Sequence, residues 1–293
     1  MIEYKGKIIV IAGATATGKS EISLKLAKEL NGYIINADSR QIYTKINIGS
    51  AKPKFKKEIS KGIHTLNGIT HYLYDFVDPK ENFTIFDYQN CVNNVLKNTH
   101  GIPILTGGSG LYIDSVVYNY KLGKNNKNIY LKDKSIDELQ ELAKEYLPYM
   151  SESDRKNKHR LTRAIQRGGV NREKGKELNN IYFVIDIEKQ ILQERIKKRI
   201  DNMFKEGLLE ENISLLKQGY TYNDKGMKTI GYIEFKEYFE NKISLEDVKE
   251  RIFKNTMGYV KRQRTWFKRN KNAVWINEPK EILYLASNFI LKE

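Results

Sequence analysis

Residues 13–20 read Gly-Ala-Thr-Ala-Thr-Gly-Lys-Ser and fit the pattern G-x-x-x-x-G-K-[ST]. The flanks make this more than a chance turn. Residues 7–12 (KIIVIA) are a short apolar run rich in β-branched residues, as expected of a strand buried on both faces in a parallel sheet. Over residues 20–31, Ile22, Leu26, Ala27 and Leu30 recur at helical spacing, and Asn31-Gly32 reads as the helix stop. Residues 33–36 (YIIN) form a second strand, so the chain opens strand–loop–helix–strand, a βαβ unit. Further strands are expected at 102–106 and 182–187, and long helices at 188–205 and 245–268, the second capped by Ser244 with Asp247. Residues 121–135 are polar and read as a boundary loop, 136–167 are charged with a helical pattern, and 168–180 are polar again. The expected architecture is α/β: a P-loop NTPase-like parallel sheet flanked by helices, formed by 1–119 and 181–293, with a small α-helical insertion over 120–180.

The residue types of the loop follow from phosphate chemistry. Gly13 and Gly18 permit sharp turns, so that the amides of Ala14, Thr15, Ala16 and Thr17 aim inward at an anion held by the N-terminus of the following helix. Lys19 supplies a point charge to the terminal phosphates, and the Ser20 hydroxyl is placed to hold Mg²⁺. Such a loop does not fix the reaction, because kinases, hydrolases and transferases share it. Asp38, just beyond the second strand, falls where open α/β sheets bind ligands. Its carboxylate suits a Mg²⁺ ligand, a general base or a helix cap, and position alone does not separate these. Ser39, Arg40 and Gln41 next to it suit recognition of a polar partner such as a base.

Charge adds a partner. Lys and Arg number 51 against 36 Asp and Glu, a net +15, and the excess concentrates at 156–163 (KNKHRLTR), 195–200 (RIKKRI) and 261–269 (KRQRTWFKR). Basic clusters attract polyanions, with nucleic acid the first expectation. Lys261, Arg264 and Lys268 share one helical face, flanked by Arg262 and Arg269; Tyr259, Trp266 and Phe267 are interleaved, the last two expected in the core. Arg160 and Arg163 stand three apart on a helix, facing RNA or paired with an acid such as Asp154. No run of ~18 apolar residues is present, so no membrane partner is expected. The N-terminus lacks a signal-peptide layout, which suggests a cytoplasmic setting. Cys91 is the only cysteine, so no intramolecular disulfide forms; it reads as a small buried hydrophobe on a helix. The four histidines (64, 71, 100 and 159) show no metal-ligand spacing with it, so zinc is not expected, and His71 reads as structural.

Six ordered stretches then carry a resemblance. After GATATGKS come NADSRQIYTKINIGSAKP (36–53), HYLYDFVDPKENFTIFDY (71–88), PILTGGSGLYI (103–113), HRLTRAI (159–165), TIGYIEF (229–235) and KNTMGYVKRQRTWFKR (254–269). Together these closely resemble the tRNA dimethylallyltransferase (tRNA isopentenyltransferase) family over nearly the whole chain. The resemblance implies transfer of a dimethylallyl group from dimethylallyl diphosphate to the exocyclic amine of an adenosine beside the tRNA anticodon. The P-loop would hold the prenyl pyrophosphate, with Mg²⁺ as cofactor. Asp38 would be the general base, Lys19 and the loop amides would stabilise the leaving pyrophosphate, and Ser20 would hold the metal. Thr106 would line the channel where base and donor meet. Contacts to tRNA would come from Asp38, Ser39, Arg40, Gln41, Thr106, His159, Arg160, Arg163, Lys261, Arg262 and Gln263. Lys228 would offer a further cation, and the family suggests a monomer. The chain departs from the family pattern at Met257, Asn157 and Gln166, where Arg, Asp and Glu are usual, and its insertion is short. Two other functions compete: a P-loop small-molecule kinase, and a tRNA-binding homologue with impaired catalysis.

Overall fold

All six residues of β1 (Ile8–Gly13) are buried, as a strand walled on both faces requires. In the computed structural model, which describes residues 1–122, 131, 133–170, 173–277 and 280–292, β1 leads into α1 (Lys19–Glu29) and β2 (Gly32–Asn36). Next come β3 (Lys57–Ser60), β4 (Ile63–Leu66), β5 (Ile69–Tyr72), α2 (Ile85–Asn98), β6 (Ile102–Gly107) and α3 (Gly110–Val117). Helices α4 (Ile136–Leu142), α5 (Glu152–Arg155) and α6 (Lys158–Arg167) follow. The chain continues with β7 (Asn180–Ile185), α7 (Lys189–Lys205), α8 (Leu208–Lys217), α9 (Lys236–Phe239), α10 (Leu245–Phe267), β8 (Val274–Ile276) and α11 (Lys280–Leu291). Two compact units result: residue 1 with 118–177, and 2–117 with 178–293.

The larger unit is built on an eight-stranded sheet of order β3-β4-β5-β2-β6-β1-β7-β8. From β5 to β8 every pairing is parallel, with β1 held between β6 and β7. One expectation is corrected here. The sheet is mixed, because β3 and β4 add an antiparallel edge to β5. Asn67 and Gly68, both at positive φ (52° and 78°), make the two-residue turn from β4 to β5, the backbone that a tight hairpin needs. A smaller correction concerns the end of α1. The left-handed residue there is Asn31 (φ 48°), and Gly32 already belongs to β2.

One face of the sheet buries Ile9, Ile11, Ile104 and Phe183 under Leu26 and Ala27 of α1 and Ile282 and Ala286 of α11. A second apolar cluster joins Leu192, Ile196 and Ile200 of α7 to Leu208 of α8 and to Val248, Ile252 and Val260 of α10. The start of α10 is closed by the expected cap: Ser244 Oγ accepts from Asp247 N–H, and the Asp247 carboxylate accepts from Ser244 N–H.

The smaller unit has its own core of Leu131, Leu139, Ala143, Met150, Leu161 and Ala164. Most of the polar stretch read as a boundary loop (121–135) lies outside the described residues. Among the described residues, no helix is long and apolar enough to cross a membrane.

Core and edge should respond differently to truncation. Phe183, fully buried on β7, should lose about 3–5 kcal/mol on Phe183→Ala. Ile59 of β3, 54% exposed, should change stability by no more than about 0.5 kcal/mol on Ile59→Ala. Urea denaturation of the two variants checks both values; equal losses would contradict this placement of the edge.

Candidate active site

The loop between β1 and α1 has the shape its sequence requires. Gly18 sits at the N-cap of α1 with φ 97° and gives no side-chain cap, and Ala16 also adopts positive φ (64°). The first N–H groups of α1 therefore open onto the loop without a side-chain acceptor. Thr17 Oγ1 ties the loop internally by donating to Ala14 O (2.9 Å). Lys19, half-buried, donates to the same carbonyl (2.5 Å). Burial lowers its pKa to about 8; the Asp38 carboxylate opposes this shift and the Arg199 guanidinium adds to it. Ser20 is exposed on the first turn of α1. The loop, Lys19, Ser20 and Asp38 line a cavity of about 290 Å³.

Asp38 is fixed by its neighbours rather than by a helix. Its N–H donates to Asn36 Oδ1 (2.8 Å), and its Oδ1 accepts from Arg40 N–H (2.9 Å). No helix begins here, so the helix-cap role is excluded and the carboxylate faces the cavities. The turn is pinned to the end of β6 by Ala37 N–H to Thr106 O (2.7 Å) and Ser109 N–H to Ala37 O (3.0 Å). Ser39 N–H also donates to Ser109 Oγ (2.9 Å).

A second cavity of about 350 Å³ adjoins the first. Its lining combines polar Asp38, Arg40, Tyr259 and Arg262 with apolar Ile196, Ile200, Met203, Ile230 and Ile252, which belong to one apolar cluster. Asp38, Thr15 and Arg199 line both cavities. Burial pushes the Tyr259 hydroxyl up to about 12.

Arg199 and Arg195 of α7 are site residues that sequence reasoning missed. Arg199 Nη1 donates to Thr15 Oγ1 (2.9 Å), and its burial disfavours its charge while Asp38 favours it. Arg195 borders the phosphate cavity beside Glu21. The signal was present: the two arginines stand four apart in the 195–200 run and so share a helix face.

Several residues of the expected RNA footprint and of the basic helix have hydrogen-bond partners within the chain, and Thr106, Gln41 and Gln263 border the phosphate cavity. Gln263 is buried, its Oε1 accepting from Thr15 N–H (3.1 Å) and its Nε2 donating to Gly108 O (2.9 Å). It staples α10 to the phosphate loop. Thr106 is buried, with its hydroxyl accepting from Ser23 Oγ (2.8 Å) and donating to Ile11 O (3.3 Å), although it still borders the phosphate cavity. Gln41 Nε2 donates to Ser50 O and Ala51 O (3.1 and 3.0 Å) and so shapes a neighbouring loop. Arg264 binds Asp186 and Ile187 O (2.5 and 2.6 Å) instead of facing solvent with Lys261. Lys261 and Arg262 are exposed. Phe267 is buried, and Trp266 is half-buried with Nε1 donating to Asp114 Oδ2 (2.7 Å). Lys228 lines the second cavity, while Met257 packs on the apolar cluster of α7 and α10.

His159, Arg160 and Arg163 lie on α6 of the smaller unit. Arg160 pairs with Asp154 (3.7 Å) at the surface, a contact of small energetic weight. Arg163 Nη1 donates to Gln166 Oε1 (3.4 Å), and Asn157 caps α6. His71 is buried, with Nδ1 at 3.0 Å from Ile69 O. Cys91 is half-buried on α2, and burial raises its thiol pKa. No cluster of three or more His, Cys, Asp or Glu suited to a metal occurs among the described residues.

Gln263→Ala leaves Thr15 N–H and Gly108 C=O without their partner, so pyrophosphate affinity should fall about 3- to 10-fold; titration calorimetry showing wild-type affinity would separate Gln263 from the loop's shape. Lysine is charged below its pKa, so affinity for a diphosphate should be full below about pH 8 and weaken as pH rises through it. Lys19→Arg, charged throughout, should remove that dependence; a wild-type profile flat across the range would contradict it.

The IPP transferase family model matches residues 41–270, and the isopentenyl transferase model matches 6–68. The full-length tRNA isopentenylpyrophosphate transferase of Bacillus halodurans superposes with a TM-score of 0.74 at 28% identity, covering 98% of this chain and 97% of its own. The tRNA delta(2)-isopentenylpyrophosphate transferase of Staphylococcus epidermidis gives 0.72 at 30% identity, covering 99% of this chain and 100% of its own. A eukaryotic dimethylallyltransferase acting on tRNA shares the fold, with a TM-score of 0.77 at 24% identity over 97% of this chain and 77% of its own. The chain belongs to the IPP transferase family.

Proposed function

We propose that this enzyme transfers a dimethylallyl group from dimethylallyl diphosphate to the exocyclic amine of an adenosine beside the anticodon of tRNA, releasing pyrophosphate. One observation carries this reading: Asp38 stands at the junction of a phosphate cradle and a second cavity with an apolar wall. A prenyl diphosphate has the same division, a charged head and a hydrocarbon tail. The loop amides and Lys19 hold the head and stabilise its charge as the C–O bond breaks, with Arg199 beside Thr15 adding a cation. The wall of Ile196, Ile200 and Ile252 suits the tail. Asp38 then takes the proton from the adenine amine as the N–C bond forms. The base must leave its stack to reach it, and Arg40, Tyr259 and Arg262 offer charge and an aromatic face there.

Mg²⁺ fits this donor set. The Ser20 hydroxyl borders the phosphate cavity, and Mg²⁺ favours one or two protein oxygens plus substrate phosphates, which leaves Asp38 free as the base. It would neutralise the diphosphate. Exposed Lys261 and Arg262, with His159, Arg160 and Arg163 on the smaller unit, are the proposed grip on the RNA backbone. One chain lines both cavities, in keeping with a monomer, and a tRNA substrate suits the expected cytoplasmic setting. A small-molecule kinase does not account for the apolar wall. An impaired binder is disfavoured because Lys19, Ser20 and Asp38 all border one cavity, and Met257 is absorbed in an apolar cluster.

Purified protein given Mg²⁺, labelled dimethylallyl diphosphate and unmodified tRNA should place label in the tRNA and turn over no ATP; ATP turnover without RNA would favour the kinase. Asp38→Ala should retain tRNA binding and lose transfer by roughly 10²-fold or more, and wild-type turnover would remove Asp38 from the base role. Replacing Lys261 and Arg262 by Ala should weaken tRNA binding and lower its salt slope by about 1 for each phosphate no longer neutralised. An unchanged slope would exclude that end of α10 from the footprint.

A further inference from the structure

Two sequence stretches contribute no reacting group: 48–53 (IGSAKP) and 229–235 (TIGYIEF). The structure joins them through a third residue, Glu211 of α8. Both Glu211 oxygens accept from Ile48 N–H (3.0 and 3.2 Å). Tyr232, whose side chain is fully buried, donates its hydroxyl to Glu211 Oε1 and accepts from Gly49 N–H (3.0 Å). Gly49 has no alternative, since a Cβ there would stand 2.4 Å from the Tyr232 ring. Behind Tyr232, Asn212 Nδ2 donates to Leu208 O (2.9 Å) and Gly231 O (3.3 Å), holding the turn against α8.

The loop held in this way is a wall of the site. Gly49 and Ser50 line the second cavity beside Asp38, and Ala51 lines the phosphate cavity. From its other side, Gln41 fixes the carbonyls of Ser50 and Ala51. Withdrawing a carboxylate from water is costly unless its oxygens are satisfied, and half-buried Glu211 has backbone amides and a phenol to satisfy them. Burial raises the Glu211 pKa, while hydrogen bonds from Tyr232 and from the amides of Ile48, Gly49 and Asn47 oppose the rise.

We propose that Glu211, acting through Tyr232 and the backbone of residues 48–49, is a positioning residue for the transfer step: it sets the Gly49-Ser50 wall of the second cavity beside Asp38 without touching either substrate. The proposal rests on the prenyl-transfer reading above. It separates two properties that general destabilisation would move together. The hydrogen bonds that hold the phosphate loop run to Gln263 and within the loop itself, whereas those that hold the wall beside Asp38 run to Glu211 and Tyr232.

The test uses the full chain with Glu211→Ala, Glu211→Gln and Tyr232→Phe, measuring melting temperature, pyrophosphate affinity, and kcat and KM for both substrates. Glu211→Ala should lower kcat/KM for tRNA about 10²-fold, the scale of an ångström-level misplacement, while pyrophosphate affinity stays at the wild-type value. Glu211→Gln, which keeps an acceptor for Ile48 N–H, should recover most of the loss. Tyr232→Phe, which keeps the ring against Gly49, should lose about 10-fold and decides the matter if Glu211→Ala does not fold. Folded variants with wild-type kcat/KM would overturn the proposal, as would transfer and pyrophosphate affinity falling in parallel. A wild-type chain that transfers no label would instead overturn the reading on which it rests.

Discussion

The structure turns on a helix that begins without a cap. Helices α2 and α10 close their first turns with reciprocal Thr/Asp and Ser/Asp boxes, whereas α1 starts at Gly18 with no side-chain acceptor. Its leading N–H groups and the amides of the preceding loop share one need, an anion. Much of the larger unit keeps that backbone in place. The loop springs from a strand buried along its whole length between two parallel neighbours, and α10 reaches across to hold it through the two ends of one buried amide, Gln263.

Electrostatics and packing then divide the labour. Lys19 and Arg199 are partly withdrawn from water, and each sits in the field of Asp38, the single carboxylate common to both cavities. Reduced solvation strengthens the interaction of such cations with an incoming diphosphate. The second cavity also has an aliphatic lining, contributed largely by helices α7 and α10, which form a continuous apolar cluster. The same packing that stabilises the helices therefore shapes the second cavity, and substitutions at Ile196 or Ile252 act on folding and on the cavity's shape together.

What the sequence made legible was local. The phosphate loop, the strands beside it and the Ser244 cap depend on neighbours a few residues apart, and each is present, with β7 starting and ending two residues earlier than expected. The antiparallel edge was missed although its Asn67-Gly68 turn is a strong hairpin signal, because β3 is short, charged and exposed and shows no alternation. The internal partners of Gln263, Arg264 and Gln41 were not legible for a different reason. A basic or amide side chain in a polar run reads as an RNA contact, and only the fold shows that its partners are Thr15, Asp186 and Ser50, some 250, 80 and 10 residues away. Glu211 lies beyond sequence reasoning for the same cause, and for Arg199 the basic run shows a shared helix face but not the partner Thr15, because both partners come from distant segments.

The central claim is that one prenyl diphosphate spans both cavities, with its reacting carbon at Asp38. A crystal structure with the unreactive thiolo analogue of dimethylallyl diphosphate tests it most directly. The account predicts the diphosphate on the amides of residues 14–20 with Lys19, and the five-carbon tail directed past Asp38 toward Ile196 and Ile252. A diphosphate seated away from the loop, or a tail turned from Asp38 into solvent, would contradict it.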